Sequence, residues 1–128
     1  MRLALDTNRY RDLCDGVSRV VEVVERATAV LVPFVVLAEL RAGFAVGTRG
    51  RKNEAVLRRF LDKPGVDVLW PTDTTVRMYA DLFRQLKSQG TPIPTHDLWI
   101  AALVVENDLA LYTRDEHFAR LGQLDLVP

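Results

Sequence analysis

The chain has 128 residues, of which 48% are hydrophobic and 27% charged, and its formal net charge is zero. That length suits one domain, residues 1–128, around one core, and the neutral balance excludes a protein that grips polyanions through bulk charge alone. The short apolar runs exclude a membrane span, the start Met1-Arg2 lacks the pattern of a secretory leader, and the single cysteine, Cys14, excludes an internal disulfide.

A cytoplasmic setting is therefore expected. Cys14 has no histidine near it in sequence and is expected to be a buried structural thiol rather than a nucleophile.

In chain order, Arg2–Leu5 reads as a short buried strand that runs into the turn Asp6-Thr7-Asn8. Residues 8–15 form a short helix closed by Gly16, and Val17, Val20, Val21 and Val24 then recur at helical spacing. Residues 29–32 are a second strand. Pro33 suits the first turn of the helix that follows, because its missing N–H has no partner there anyway. That helix carries Val36, Leu37, Leu40 and Phe44 on one face and ends at Gly43 or Gly47.

Residues 48–52 read as a polar loop, and Val56, Leu57, Phe60 and Leu61 mark another amphipathic helix, stopped near Pro64-Gly65. Residues 66–70 are a third strand. Pro71-Thr72-Asp73 opens a long helix with Val76, Tyr79, Leu82, Phe83 and Leu86 on its apolar face, ended by Gly90. After the rigid stretch 91–94, Thr95 is expected to cap a helix over 96–107 that is apolar nearly all round and hence central. Residues 109–112 are a fourth strand, followed by a short helix around 117–121 and a last strand at 124–127. This alternation predicts an α/β fold, a three-layer α/β/α sandwich on a mainly parallel sheet of four or five strands. Ligands in such folds bind beyond the carboxyl ends of the strands, near the point where strand order reverses.

Charge is unevenly spread. Residues 41–63 carry seven basic groups against two acids, whereas residues 64–128 carry five against nine. A solvated helix face explains any one of those cations, but as a cluster they can steer a polyanion.

Four acids, Asp6, Glu39, Asp97 and Asp115, lie in or beside apolar stretches, where a carboxylate is costly unless something pairs with it. Asp6 and Asp115 each follow a predicted strand and so fall on the ligand-binding edge. Each acid also has a plain structural explanation. Asp6 and Asp115 suit helix caps, Asp97 suits the first turn of a helix, and Glu39 suits an ion pair with Arg41 or Arg9. Gathered at one sheet edge, the four would form a like-charged pocket that takes a divalent cation, a common means of cutting phosphodiesters.

The contexts of these acids resemble one family. Leu3-Ala4-Leu5-Asp6-Thr7-Asn8 is similar to the opening of a PIN domain, Glu39-Leu40-Arg41-Ala42-Gly43 to its acidic helix motif, His96-Asp97-Leu98-Trp99-Ile100-Ala101-Ala102 to its third motif and Thr113-Arg114-Asp115-Glu116-His117-Phe118 to its fourth. The order matches and the resemblance covers the chain, with the small size of VapC-type toxins; His96 stands where the family often has asparagine.

The resemblance implies an endoribonuclease dependent on Mg²⁺ or Mn²⁺. Asp6 and Asp97 would be the principal metal ligands, Asp115 would complete the cluster, and Glu39 would hold a metal-bound water or a second ion. Thr7, Asn8 and Thr113 would orient these carboxylates. Arg9, Arg49, Arg51, Lys52 and Arg114 are the candidate RNA contacts. Loops of transfer or ribosomal RNA are the expected targets, and a cognate antitoxin and a second copy of the chain are the expected protein partners.

Other readings rank lower. A phospho-aspartate phosphatase needs a second acid two residues after its nucleophile, where this chain has Asn8. A non-catalytic PIN-fold binding module would not need all four acids. His96 and His117 are not expected to act as a metal-free acid–base pair; His117 reads as a packing or hydrogen-bonding residue, and Trp99 as core.

Overall fold

The computed structural model describes residues 1–128. Its elements follow one another as β1 (Arg2–Leu5), α1 (Thr7–Cys14), α2 (Ser18–Arg26), β2 (Ala29–Pro33), α3 (Phe34–Val46), α4 (Gly50–Leu61), β3 (Val66–Leu69), α5 (Asp73–Gln89), α6 (Thr95–Glu106), β4 (Ala110–Tyr112), a 3₁₀ turn (Glu116–Arg120) and β5 (Asp125–Leu126). The five strands form one sheet in the order β3-β2-β1-β4-β5, with every neighbouring pair parallel. Along β1, Leu3, Ala4 and Leu5 are all fully buried. Successive strand residues point to opposite faces, so helices must cover both sides.

Strand order reverses between β1 and β4, the central pair. Their register matches Leu5 with Tyr112, and the Asp6 N–H donates to the Tyr112 carbonyl at 3.1 Å. The chain therefore leaves both strands side by side at their carboxyl ends, and a crevice opens there. Helix α6 precedes β4 through a tight turn and runs back across the sheet, which brings its N-terminus to the same edge. It is apolar nearly all round, as expected, with Leu98 and Ile100 to Val104 buried.

Several local expectations are corrected. Residues 50–52 are not loop but the first turn of α4, so Arg51 and Lys52 project from a helix. Pro94, not Thr95, occupies the cap position of α6, and Thr95 is its first helical residue. On α5 the inward stripe is Thr75, Leu82 and Leu86, while Val76 and Phe83 are 52% and 53% exposed. Thr75 takes an inward place because its hydroxyl, bonded to Glu106 at 2.5 Å and to the Thr72 N–H at 2.9 Å, is satisfied without water. Cys14 is exposed rather than buried. Tyr10, one turn earlier on the same face of α1, fills the core position, and Cys14 lies beyond it where the helix ends. Gly90 closes α5 at φ +71°, a conformation that glycine adopts at little cost. No helix is long and apolar enough to cross a membrane.

Candidate metal centre at the sheet edge

Four elements deliver the four acids to the β1/β4 crevice. Asp6 is the N-cap of α1, where its Oδ1 accepts from the Thr7 N–H at 2.8 Å. Asp115 caps the 3₁₀ turn by accepting from the His117 N–H at 2.9 Å. Asp97 lies in the first turn of α6, and Glu39 is in the middle of α3. Capping and site membership are thus not alternatives for Asp6 and Asp115. In Asp6 the cap takes Oδ1 and Thr113 takes Oδ2, and in Asp115 the capping Oδ1 also lies 3.0 Å from His117 Nδ1.

Thr113 is the junction of this arrangement. Its hydroxyl donates to Asp6 Oδ2 at 2.6 Å and accepts from the Asp115 N–H at 2.9 Å, with Asn8 Nδ2 donating at 3.5 Å. One donor and two lone pairs are then fully used, which holds the hydroxyl in a single orientation. Asn8 also accepts from the Arg114 N–H at 3.1 Å and so ties α1 to the segment after β4. On the other side, the Thr7 hydroxyl donates to Glu39 Oε2 at 2.6 Å.

Glu39 pairs with neither of its candidate cations. Arg41 grips Glu54 at 2.9 and 3.3 Å, and Arg9 binds Asp12 at 3.1 Å. The Arg41 hydrogen bonds hold Glu54 below the usual carboxylate range.

Repulsion within the cluster is visible in two groups. Burial pushes the Asp6 carboxyl up; the bonds from Thr113 and Thr7 oppose this, and the charges of Glu39 and Asp115 add to it. Burial likewise raises Asp97, the His117 bond pulls it back, and Asp115 and Asp6 push it further. Asp6, Asp97 and Asp115 are therefore in electrostatic reach of one another, and Glu39 of Asp6, although each comes from a different part of the chain. Such a cluster is relieved by protons or by a cation.

Two features of the site escaped sequence reasoning. His117 is one: its Nδ1 lies 2.9 Å from Asp97 Oδ2 and 3.0 Å from Asp115 Oδ1. The ligand atoms of Asp97, Asp115 and His117 all lie within 4.8 Å of one another, a separation that one ion can span. The available signal was the spacing, since a residue two places after a capping aspartate is held over that carboxylate. Asp12 is the other. It joins Arg9 to Arg114, the latter at 3.2 Å, while the Arg9 guanidinium stacks 4.6 Å from the centre of the Tyr112 ring. Arg9 and Arg114 are thereby fixed beside the acids. Arg49, Arg51 and Lys52 lie instead at the α3–α4 corner, where Arg51 shares a cleft with Arg41 and Arg58.

The donor set of carboxylates plus one imidazole suits a divalent cation. The PIN domain profile matches residues 11–124, and the chain belongs to the PIN domain family. Within that family its similarities run to VapC-type proteins. Over 87 residues it is 32% identical to "Ribonuclease VapC5" of Mycobacterium tuberculosis, covering 68% of this chain and 64% of that protein. The curated relatives it matches are aligned over only 60% to 64% of their own length.

Among solved structures, VapBC-1 from nontypeable Haemophilus influenzae superposes with a TM-score of 0.87 at 26% identity, covering 99% of this chain and 97% of that one. VapBC-5 from Mycobacterium tuberculosis, described as a member of the VapBC family of toxin–antitoxin systems, gives a TM-score of 0.64 at 31% identity over 77% of this chain and 79% of that one.

Proposed function

We propose that this chain is a divalent-metal-dependent endoribonuclease, the toxin of a VapC-type toxin–antitoxin pair. The observation that carries the reading is the convergence of Asp6, Glu39, Asp97 and Asp115 at the β1/β4 crevice with their charges coupled. In a cluster serving only as helix caps, Glu39 would have no reason to join, because it caps nothing and lies within α3. The ribonuclease name of the VapC relative supports the substrate class.

Mg²⁺, or Mn²⁺ in its place, would be held by Asp6 and Asp97 directly or through water, with Asp115 completing the cluster and Glu39 positioned for a bound water or a second ion. Such an ion lowers the pKa of bound water and neutralises charge on the phosphoryl oxygens. The protein's own part is positioning. Thr113 and the Thr7 N–H aim the two oxygens of Asp6, Asn8 braces Thr113, and the Thr7 hydroxyl aims Glu39. Arg9 and Arg114, steadied by Asp12, present positive charge next to the acids and serve as contacts for the RNA backbone.

Sequencing of RNA 5′ ends after brief expression tests the activity. The parent should create discrete new ends, and Asp97→Asn should create none. Identical end profiles would leave the non-catalytic binding module as the better account.

Arg49, Arg51 and Lys52 form the outlying part of the RNA path in this reading. Removing Arg49 and Arg51 together should flatten the salt dependence of RNA binding by about two charges' worth in slope. An unchanged slope would remove the α3–α4 corner from the path. The antitoxin is a proposed protein partner, supported by VapBC-1 and VapBC-5 among the similar structures, and a second copy of this chain is proposed from the family resemblance alone.

A further inference from the structure

We propose that His117 is a nitrogen ligand to the ion of this site, together with Asp97 and Asp115, and that it biases the site toward Mn²⁺-like first-row ions over Mg²⁺. This rests on the reading that the site binds a divalent cation at all.

Three observations carry it. First, the position of His117 is imposed by the chain. Asp115 accepts the His117 N–H at 2.9 Å, and this turn hangs the imidazole over the carboxylates. Second, Nδ1 is 2.9 Å from Asp97 Oδ2 and 3.0 Å from Asp115 Oδ1. Adjacent ligands of an ion with bonds of about 2.1 Å would lie about 3 Å apart, so these two separations suit neighbouring donors of one ion as well as they suit hydrogen bonds. Third, an imidazole ligand adds a donor atom beside Asp97 and Asp115 without adding a further negative charge.

The selectivity follows from donor chemistry. Mg²⁺ is a hard ion that prefers oxygen and keeps its waters, whereas imidazole binds more strongly along the first-row transition series. Replacing one oxygen ligand by Nδ1 therefore costs Mg²⁺ more than Mn²⁺. His96, the other histidine, is exposed in the first turn of α6 and serves as the control.

The test is spectroscopic. Mn²⁺ bound to the parent is examined by electron spin-echo modulation for coupling to ¹⁴N, and Mn²⁺ and Mg²⁺ affinities are measured by calorimetry, in the parent, His117→Gln and His96→Gln. Thermal melts verify that each variant folds; His117→Gln retains the backbone N–H that Asp115 accepts.

The expected result is nitrogen coupling in the parent and in His96→Gln, lost in His117→Gln. The ratio of Mn²⁺ to Mg²⁺ affinity should fall on the order of tenfold in His117→Gln alone. Tight Mn²⁺ binding without nitrogen coupling in the parent would overturn the role of His117 and leave the metal site standing. Failure of either ion to bind would overturn the metal reading itself.

Discussion

Replacing Asp6 by asparagine is expected to abolish RNA cleavage and, in the metal-free protein, to raise stability. The loss of rate should be on the order of 10³-fold, the scale for removing one group that stabilises developing charge in a closed site. The gain in stability follows from the cost of the native carboxylate, which is 6% exposed and faces Glu39 and Asp115. Asparagine keeps the cap, because its side-chain oxygen can still accept from the Thr7 N–H. Against this, Thr113 loses the acceptor it now reaches at 2.6 Å. Release of the buried charge outweighs that bond, for a net gain of about 1 kcal/mol, or about 4 °C in melting temperature.

The pH dependence gives the experiment its sign. The folded-state pKa of Asp6 lies above that of a free aspartate, so between the two values the native state binds more protons than the unfolded state. The stability contributed by protonating Asp6 is fully present below the unfolded value and is lost as pH rises through the folded one. Asp97 behaves in the same way, since burial raises it too. In chelator, the advantage of Asp6→Asn over the parent should therefore grow with pH across the carboxylate range and then level off. Thermal melts from about pH 4 to about pH 8 measure it. A variant less stable than the parent at neutral pH would show that Asp6 is a structural cap whose charge the fold needs.

The second large effect is metal binding itself. Mn²⁺ or Mg²⁺ at a hundred times its dissociation constant should stabilise the fold by about 2.7 kcal/mol. For a chain of this size that corresponds to roughly 10 °C. The same ion should release protons, because it competes with them for Asp6 and Asp97, both of which hold a proton more readily than a free aspartate. Calorimetric titration in buffers of different ionisation enthalpy counts those protons. Their number should rise as the pH is lowered toward the carboxylate range and fall in Asp97→Asn. Melting curves that stay put in millimolar Mn²⁺ and Mg²⁺ would count against a shared site.

The cluster is costly in the folded protein when no cation is bound, and the fold meets that cost with bonds it can supply locally. Thr113, Thr7 and Asn8 hold the carboxylates in place without neutralising them. A site held this way is ready for a cation and remains unfavourable until one arrives.

The sheet and its edge were legible in the residues. Short apolar runs separated by helical repeats led to parallel strands, and the strand ends at Leu5 and Tyr112 placed Asp6 and Asp115 on the binding edge. The family contexts added Glu39 and Asp97. Less legible were features with no periodicity to betray them. Gly50 to Lys52 joined a helix because polar residues suit the first turn of α4 as well as a loop. Thr75 displaced Val76 from the inner face of α5 because its hydroxyl found Glu106, a partner 31 positions away. Cys14 lay outside because Tyr10 filled the core first.

By itself, then, the sequence determined the order of elements and the edge at which Asp6 and Asp115 emerge, which depend on local spacing and burial that the chain states residue by residue. Glu39 and Asp97 joined them through the family contexts. Only the tertiary structure decided that Glu39 answers to Thr7 rather than to Arg41 or Arg9, that Asp12 binds Arg9 and Arg114 together, and that His117 faces Asp97. Those pairings depend on directions of side chains brought together from separate elements, and a hydrogen bond's strict demand for distance and angle cannot be read along a single chain.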